Sequence, residues 1–302
     1  MAAHNASTNA VSLFSLMLPT VVALGFAFGI ASQLGLVGTP DVDSSLAPQT
    51  ITIPRHEFSY RADGEFYKDG FAVDAPMVTA RDLGPLVIMK YQVSEAEYAR
   101  CVNESKCAPL AAADVHGDDR PATGVSYDDA VKYALWLSEM TGEVWTLPRH
   151  EEIAYAAADR FLDDALGVDP DSRNPALRWL ADYDRETRRK AESDPVPKPR
   201  GHFGENEYGL ADFAGNVWEW TSTCQRRVDL AEAEAPVSSV STCGIYVTVG
   251  QHRSPMSSFV RDPKTGGCAV GAPPANLGFR LVHDDRWIAN MLMKLRDRGI
   301  IS

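Results

Sequence analysis

From Asn5 to Pro40 the chain carries no charged side chain, and Val11 to Val37 is mainly apolar. Crossing a bilayer takes roughly 20 such residues. Residues 11–37 are therefore expected to form one N-terminal apolar helix, a transmembrane anchor or signal segment behind a short tail at 1–10. Gly29-Ile30-Ala31 offers a small-x-small cleavage site, but no Lys or Arg precedes the run, and a secretory signal normally opens with basic residues. An uncleaved anchor is the expectation. Neither flank carries nearby Lys or Arg, so loop charge does not set its orientation.

Beyond Val37 the pattern changes. Thr39 to Thr50 is rich in Pro, Ser, Asp and Thr, and 38–50 reads as a linker. A single folded domain is expected over 51–302. Ile51 to Tyr60 alternates weakly and predicts an entry strand, and Pro85 to Tyr91 predicts a short buried one. Ser94 with Glu97 three residues on forms a capping-box signature for a helix running to Cys101. A second helix is predicted from Ser126. Ala130, Tyr133, Ala134 and Leu137 recur at helical spacing, and Gly142 stands where a helix stops. A third helix is predicted at His150–Arg160, with His150 at its exposed start. Residues 161–200, rich in Asp, Arg and Pro, predict a surface excursion that is partly helical. From Asn206 onward short strands and turns are expected. Trp287, Met291 and Leu295 predict a closing helix within 284–298, and no internal repeat is visible.

Composition narrows the function classes. The chain has 302 residues and a net charge of −12. Phosphate binding needs clustered Lys and Arg, so no nucleic-acid partner is expected. Cysteines stand at 101, 107, 224, 243 and 268, an odd number. Cys101 and Cys107 flank a short loop after a helix with no His or further Cys nearby. A disulfide is expected there, which favours an oxidising compartment. For the remaining three, two arrangements stay open. Cys224 and Cys243 form a second bridge with the third cysteine free, or Cys243 and Cys268 join His252 or Met256 in a soft-metal or redox site, for which copper(I) is suited.

Gly215-Asn216-Val217-Trp218-Glu219-Trp220 needs a tight turn before a strand. Side chains two residues apart face the same way in a strand, so Trp218 and Trp220 share a side and Glu219 points opposite. A carboxylate held between tryptophans needs a partner or a metal.

Four blocks resemble the formylglycine-generating enzyme, or sulfatase-modifying factor, family. They are Pro85 to Tyr98, Pro121 to Leu137, Leu147-Pro-Arg-His-Glu-Glu-Ile-Ala-Tyr-Ala-Ala157, and Tyr208-Gly-Leu-Ala-Asp-Phe-Ala-Gly-Asn-Val-Trp-Glu-Trp-Thr221. The last is closed by Asn276-Leu-Gly-Phe-Arg-Leu-Val282. The resemblance implies an α+β fold related to C-type lectins, with little regular secondary structure. It also implies a structural Ca2+ site made by Asp212, the carbonyls of Gly215 and Val217, and Glu219.

The family's enzymes convert a substrate cysteine to formylglycine with copper(I) held by two cysteines. The corresponding stretch here, Gly250 to Asp262, contains no cysteine and holds residues such as Arg253 and Ser258. The segments around Cys243–Arg253 and Arg261–Ala275 look like those of family members encoded beside copper nitrite reductases in denitrifying bacteria. That likeness implies an accessory protein on the periplasmic side of a bacterial inner membrane, binding or helping mature a protein or peptide partner. Trp218, His252, Arg253 and Arg261 would then line the partner-binding face. Two other expectations stand beside it: a copper-dependent oxidase with a rearranged thiolate site, with Cys243, Cys268 and His252 as catalytic candidates, and a lectin-like binding module. The oligomeric state is not set by the sequence.

Overall fold

Pro54 divides the beginning of the domain. Where the pattern predicts one entry strand over 51–60, two form: β1 (Thr50–Ile53) and β2 (Phe58–Arg61). Proline cannot donate to a strand ladder, and the chain bends between them. Tyr155 pins the bend by donating its hydroxyl to the Pro54 carbonyl at 3.0 Å and accepting from the His56 amide at 2.7 Å. This computed structural model describes residues 43–80, 83–190, 195–215, 217–230, 236–266 and 275–286, with 288, 289, 291, 292 and 295. The apolar stretch expected at 11–37, along with Asn216, Cys268 and Trp287, lies outside them. Among the described residues no helix is long and apolar enough to cross a membrane.

The remaining strands are β3 (Glu65–Lys68), β4 (Phe71–Val73), β5 (Met77–Ala80), β6 (Leu86–Met89), β7 (Trp145–Thr146), β8 (Trp218–Leu230), β9 (Pro236–Val249), β10 (Ser254–Ser257), β11 (Leu277–Gly278) and β12 (Val282–His283). The longer helices are α1 (Glu95–Asn103), α2 (Tyr127–Thr141), α3 (His150–Ala157) and α4 (Pro175–Lys190). One sheet runs β1-β6-β12-β7, a second β10-β9-β8-β3-β4, and β2 pairs with β5. β11 lies parallel on β8, placing Leu277 beside Trp218 and Gly278 beside Glu219. The fold class is α+β, as expected.

Local signals set the helix ends. Ser94 accepts from the Glu97 amide while the Glu97 carboxylate accepts from the Ser94 amide, closing the capping box of α1. Ser126 and Asp129 do the same for α2, and Gly142 ends it at φ 71°, a left-handed conformation that glycine adopts without a Cβ penalty. Two expectations need correction. The segment read as a linker is not all loose: Ser44–Leu46 form a 3-10 turn, the Asp43 amide donates to the Met140 carbonyl, and Leu46 packs on the core. The strands after Asn206 are not all short either, since β8 and β9 run 13 and 14 residues. Their pairing is broken by register shifts on both sides of Cys224, and bulges of this kind interrupt the alternation that a sequence reader follows.

The core lies between these layers. Tyr98, Tyr133, Trp136, Trp218, Trp220 and Phe279 form one cluster with α1 and α2. Ile53, Ile88, Ile153, Tyr155 and Phe213 form another around α3. Trp220 is fully buried, and its indole N–H donates to the Val125 carbonyl at 2.9 Å. A buried indole needs such a partner.

Candidate functional site

Trp218 and Trp220 share one side of β8 and are both buried, and Glu219 on the other side is only 1% exposed. Its partner is Arg280, which is also buried. Arg280 Nε donates to Glu219 Oε2 at 2.5 Å and Nη2 to Oε1 at 2.8 Å. Gln92 Nε2 adds a third bond to Oε1 at 2.8 Å. The rest of the guanidinium donates to the carbonyls of Lys90, Met89 and Ala211. A planar fork on a carboxylate is the geometry in which arginine binds best.

Asp212 turns at φ 60° and accepts from the amides of Gly201 at 2.6 Å and Phe203 at 2.9 Å. Gly215 is where the Phe203 ring lies, since a Cβ there would meet the ring at 2.5 Å. Val217 is buried. The four residues expected to hold Ca2+ therefore spend both carboxylates on protein donors. Calcium takes six to eight oxygen ligands. A dication at Glu219 would face the Arg280 cation across the same two oxygens, so these residues do not fit the ion.

Trp218, expected on a partner-binding face, is 5% exposed. The buried His252 ring meets it edge-on at 4.2 Å. Gly250 lies against its face, where an added Cβ would stand 2.5 Å from Cδ1. Trp218 is thus a packing residue and not an open platform. Arg253 and Arg261 go to different places. Arg253 forms a two-point pair with Asp164 (Nε to Oδ2 2.7 Å, Nη2 to Oδ1 2.6 Å) and reaches the Ala62 carbonyl. Burial pushes the Asp164 carboxyl up, but the Arg253 charge and its hydrogen bonds outweigh this and hold it at about 2. Arg261 instead sits at the start of α2, on Asp129 at 2.9 Å.

The cysteines close two bridges. Cys101–Cys107 forms as expected, and Cys224–Cys243 staples β8 to β9. Cys243 is therefore no free thiolate, which corrects the reading that joins it to Cys268, His252 and Met256 in a soft-metal site. With five cysteines in the chain and four in these bridges, Cys268 is the one left outside them. Among the described residues no group of three His, Cys, Asp or Glu is placed to hold a metal.

The sulfatase-modifying factor enzyme 1-like domain model matches residues 38–285. The chain belongs to that family. It is 29% identical to a formylglycine-generating enzyme of Mycobacterium tuberculosis over 184 residues, which is 54% of this chain and 57% of that protein. It is 29% identical to the Bos taurus formylglycine-generating enzyme over 112 residues, 36% of this chain and 28% of that one. The chain thus spans little more than half the length of the curated relatives it matches, or less. The structure of PvdO from Pseudomonas aeruginosa superposes with a TM-score of 0.52 at 18% identity, covering 82% of this chain and all of that one. That likeness bears on the fold, which is the one this family of sulfatase-modifying factors implies.

Three features of the family domain escape sequence reasoning. Asp164 lies in the excursion read only as surface, and 89 positions separate it from Arg253. Glu219 and Arg280 are 61 apart. His150, expected at an exposed helix start, is 1% exposed between the rings of Tyr60 and Phe161. Its two ring nitrogens have no hydrogen-bond partner among the described residues. Burial, with the Arg253 charge adding to it, lowers its pKa to about 3. The available signal was the apolar run Ile153-Ala-Tyr-Ala-Ala157, which marks α3 as a core helix from its first turn.

Proposed function

We propose that this chain is an accessory protein of the sulfatase-modifying factor family, tethered by residues 11–37 to the outer face of a bacterial inner membrane, where it binds or helps mature a partner protein. A copper nitrite reductase is the partner that the sequence likeness favours. One observation carries the binding role over oxidase chemistry. Copper(I) in the family's enzymes needs two thiolates, and here four of five cysteines are closed in disulfides while 250–262 holds none. A single thiol makes no bis-thiolate centre, and thiolate is the soft donor that copper(I) selects. The two bridges support an oxidising compartment, and the charge-free apolar run supports the tether.

The test is a thiol count on the full chain, unfolded without reductant, together with oxygen uptake in the presence of copper(I) and a cysteine-containing peptide. One thiol per chain and no peptide-dependent uptake are expected. Peptide-dependent uptake that disappears in Cys268→Ser would overturn the reading in favour of an enzyme. Capture of the partner from membranes of the source cell, with the full chain as bait, tests the accessory role itself.

A further inference from the structure

The excursion at 161–190 does more than cover the surface. It roofs one face of the second sheet and encloses a cavity of about 400 Å3 there. That volume lies within the range of small-ligand sites, ~300–1,000 Å3. Glu65 lies beside Arg227 where β3 runs parallel to β8. Side chains two residues apart in a strand share a face, so Glu65, Tyr67 and Gln225 fall on the same side, and all three line the cavity.

The charges of the lining do not balance. Its four arginines are all paired, Arg61 with Asp163, Arg178 with Asp74, Arg185 with Asp182 and Arg253 with Asp164. Two of its carboxylates, Glu65 and Asp169, stand in no ion pair among the described residues. Glu65 accepts from the Tyr67 hydroxyl at 3.3 Å, and Asp169 from the Asp171 amide at 3.0 Å. An anion would find no free partner here, and a cation would find two.

Ser254 is an independent sign of a ligand. It lines the cavity, is 1% exposed, and its hydroxyl has no hydrogen-bond partner among the described residues. Leaving a buried hydroxyl without a bond is costly, and a bound donor would supply one. The Gln225 carboxamide also lines the cavity and makes no hydrogen bond among the described residues. Hydroxyl, carboxamide and carboxylate oxygens all accept, and an ammonium group carries donors only.

The walls select the kind of cation. Among the described residues no group of three His, Cys, Asp or Glu is placed to hold a metal ion. Between the polar groups the lining is apolar, contributed by Phe71, Leu166, Val168 and Trp179. Methylene groups pack on such a wall, and aromatic rings attract ammonium ions over their faces. Glu65 belongs to the sheet and Asp169 to the segment that roofs it. Two charged ends joined by an aliphatic chain answer both carboxylates and use the wall between.

We propose that this cavity binds a small aliphatic diamine as its dication, one ammonium at Glu65 and the other at Asp169, with the Ser254 hydroxyl and the Gln225 carboxamide oxygen accepting further ammonium hydrogens. The site stands apart from the partner-binding reading above, and neither result depends on the other.

The experiment is calorimetric titration of the full chain, in nanodiscs of zwitterionic lipid, with cadaverine, and separately with pentylamine, pentane-1,5-diol and calcium chloride. Cadaverine is expected to bind, pentylamine about fivefold or more weakly, and the diol and calcium without measurable heat. Glu65→Gln should weaken cadaverine about tenfold, as loss of a charged hydrogen bond does. Asp169→Asn, at a more exposed carboxylate, should weaken it about fivefold, and Ser254→Ala should do the same. In either carboxamide variant the advantage of cadaverine over pentylamine should disappear, a readout that loss of structure alone would not give. Neither carboxylate is in an ion pair, so circular dichroism melts of both variants should match the parent. No binding of cadaverine, equal binding of pentylamine or calcium to the parent chain, or parental affinity for cadaverine in either carboxamide variant would overturn the assignment.

Discussion

Arg280 lays its guanidinium across the carboxylate of Glu219, with 0% and 1% of the two side chains exposed. The pair ties β8 to the strand segment that closes the domain, and Gln92 and the Lys90 and Ala211 carbonyls fill the remaining hydrogen-bond positions. Removing one partner leaves a buried charge unmatched, which costs about 3–5 kcal/mol. Arg280→Leu is therefore expected to lower stability by that amount in urea unfolding. A loss under about 1 kcal/mol would mean that water reaches the site and solvates Glu219.

The same pair predicts the response to metal removal. With Arg280 on Glu219 and two amides on Asp212, these two carboxylates offer calcium no oxygen cage. Adding EGTA, and then excess calcium, should leave the thermal midpoint of the full chain unmoved. A calcium-dependent rise in the midpoint that is abolished by Asp212→Ala would place the ion there after all.

These residues also divide what the sequence makes legible from what it does not. Local signals are readable because neighbours settle them: Ser94 with Glu97, Ser126 with Gly142, and the period-2 placing of Trp218 and Trp220 against Glu219. The need of Glu219 for a partner was also legible, since a buried carboxylate cannot stand alone. Its choice of Arg280 was not, because pairing across 61 positions depends on how β11 docks on β8. Asp164 was hidden for a related reason. In a segment crowded with Asp and Arg, only the fold selects which carboxylate is turned inward to Arg253 and which stays in water. The apolar residues of α4 are masked by the same charges.

Gly250 is where the sheet meets the Trp218 ring. A methyl group there would stand 2.5 Å from Cδ1 and 2.6 Å from Cγ. Gly250→Ala should force the indole, and His252 behind it, to shift. Overpacking of this kind costs about 1–3 kcal/mol. The near-ultraviolet circular dichroism of the tryptophans should change with it. An unchanged spectrum at parental stability would show that the backbone yields in place of the ring.

The Cys224–Cys243 bridge closes a 19-residue separation. On the loop-entropy account a bridge of that span contributes about 3 kcal/mol. Replacing both cysteines with Ser should reduce stability by about that amount and leave the thiol count at one. A count of two or more in the parent chain would mean that a bridge is open in solution, and would return Cys243 to the list of available ligands.

His150 and Asp164 set the response to acid, in two windows. The His150 pKa falls from 6.5 unfolded to about 3 folded, chiefly through burial. Between those values the unfolded chain holds the extra proton, so stability is full above about pH 6.5 and is lost as the pH falls towards 3. The slope for one such group is at most about 1.4 kcal/mol per pH unit. Asp164 is held at about 2 against an ordinary 3.8. Its contribution is present above 3.8 and is lost as the pH falls from there towards 2. His150→Leu, close in volume and apolar like the surrounding rings, should flatten the slope between pH 6 and 4 and leave the Asp164 window in place. Asp164→Asn should do the reverse, at the cost of leaving Arg253 without its carboxylate. Urea midpoints at half-unit pH steps for the parent and both variants separate the two. An unchanged slope between pH 6 and 4 in His150→Leu would mean that the ring is protonated, or reached by water, in the folded chain.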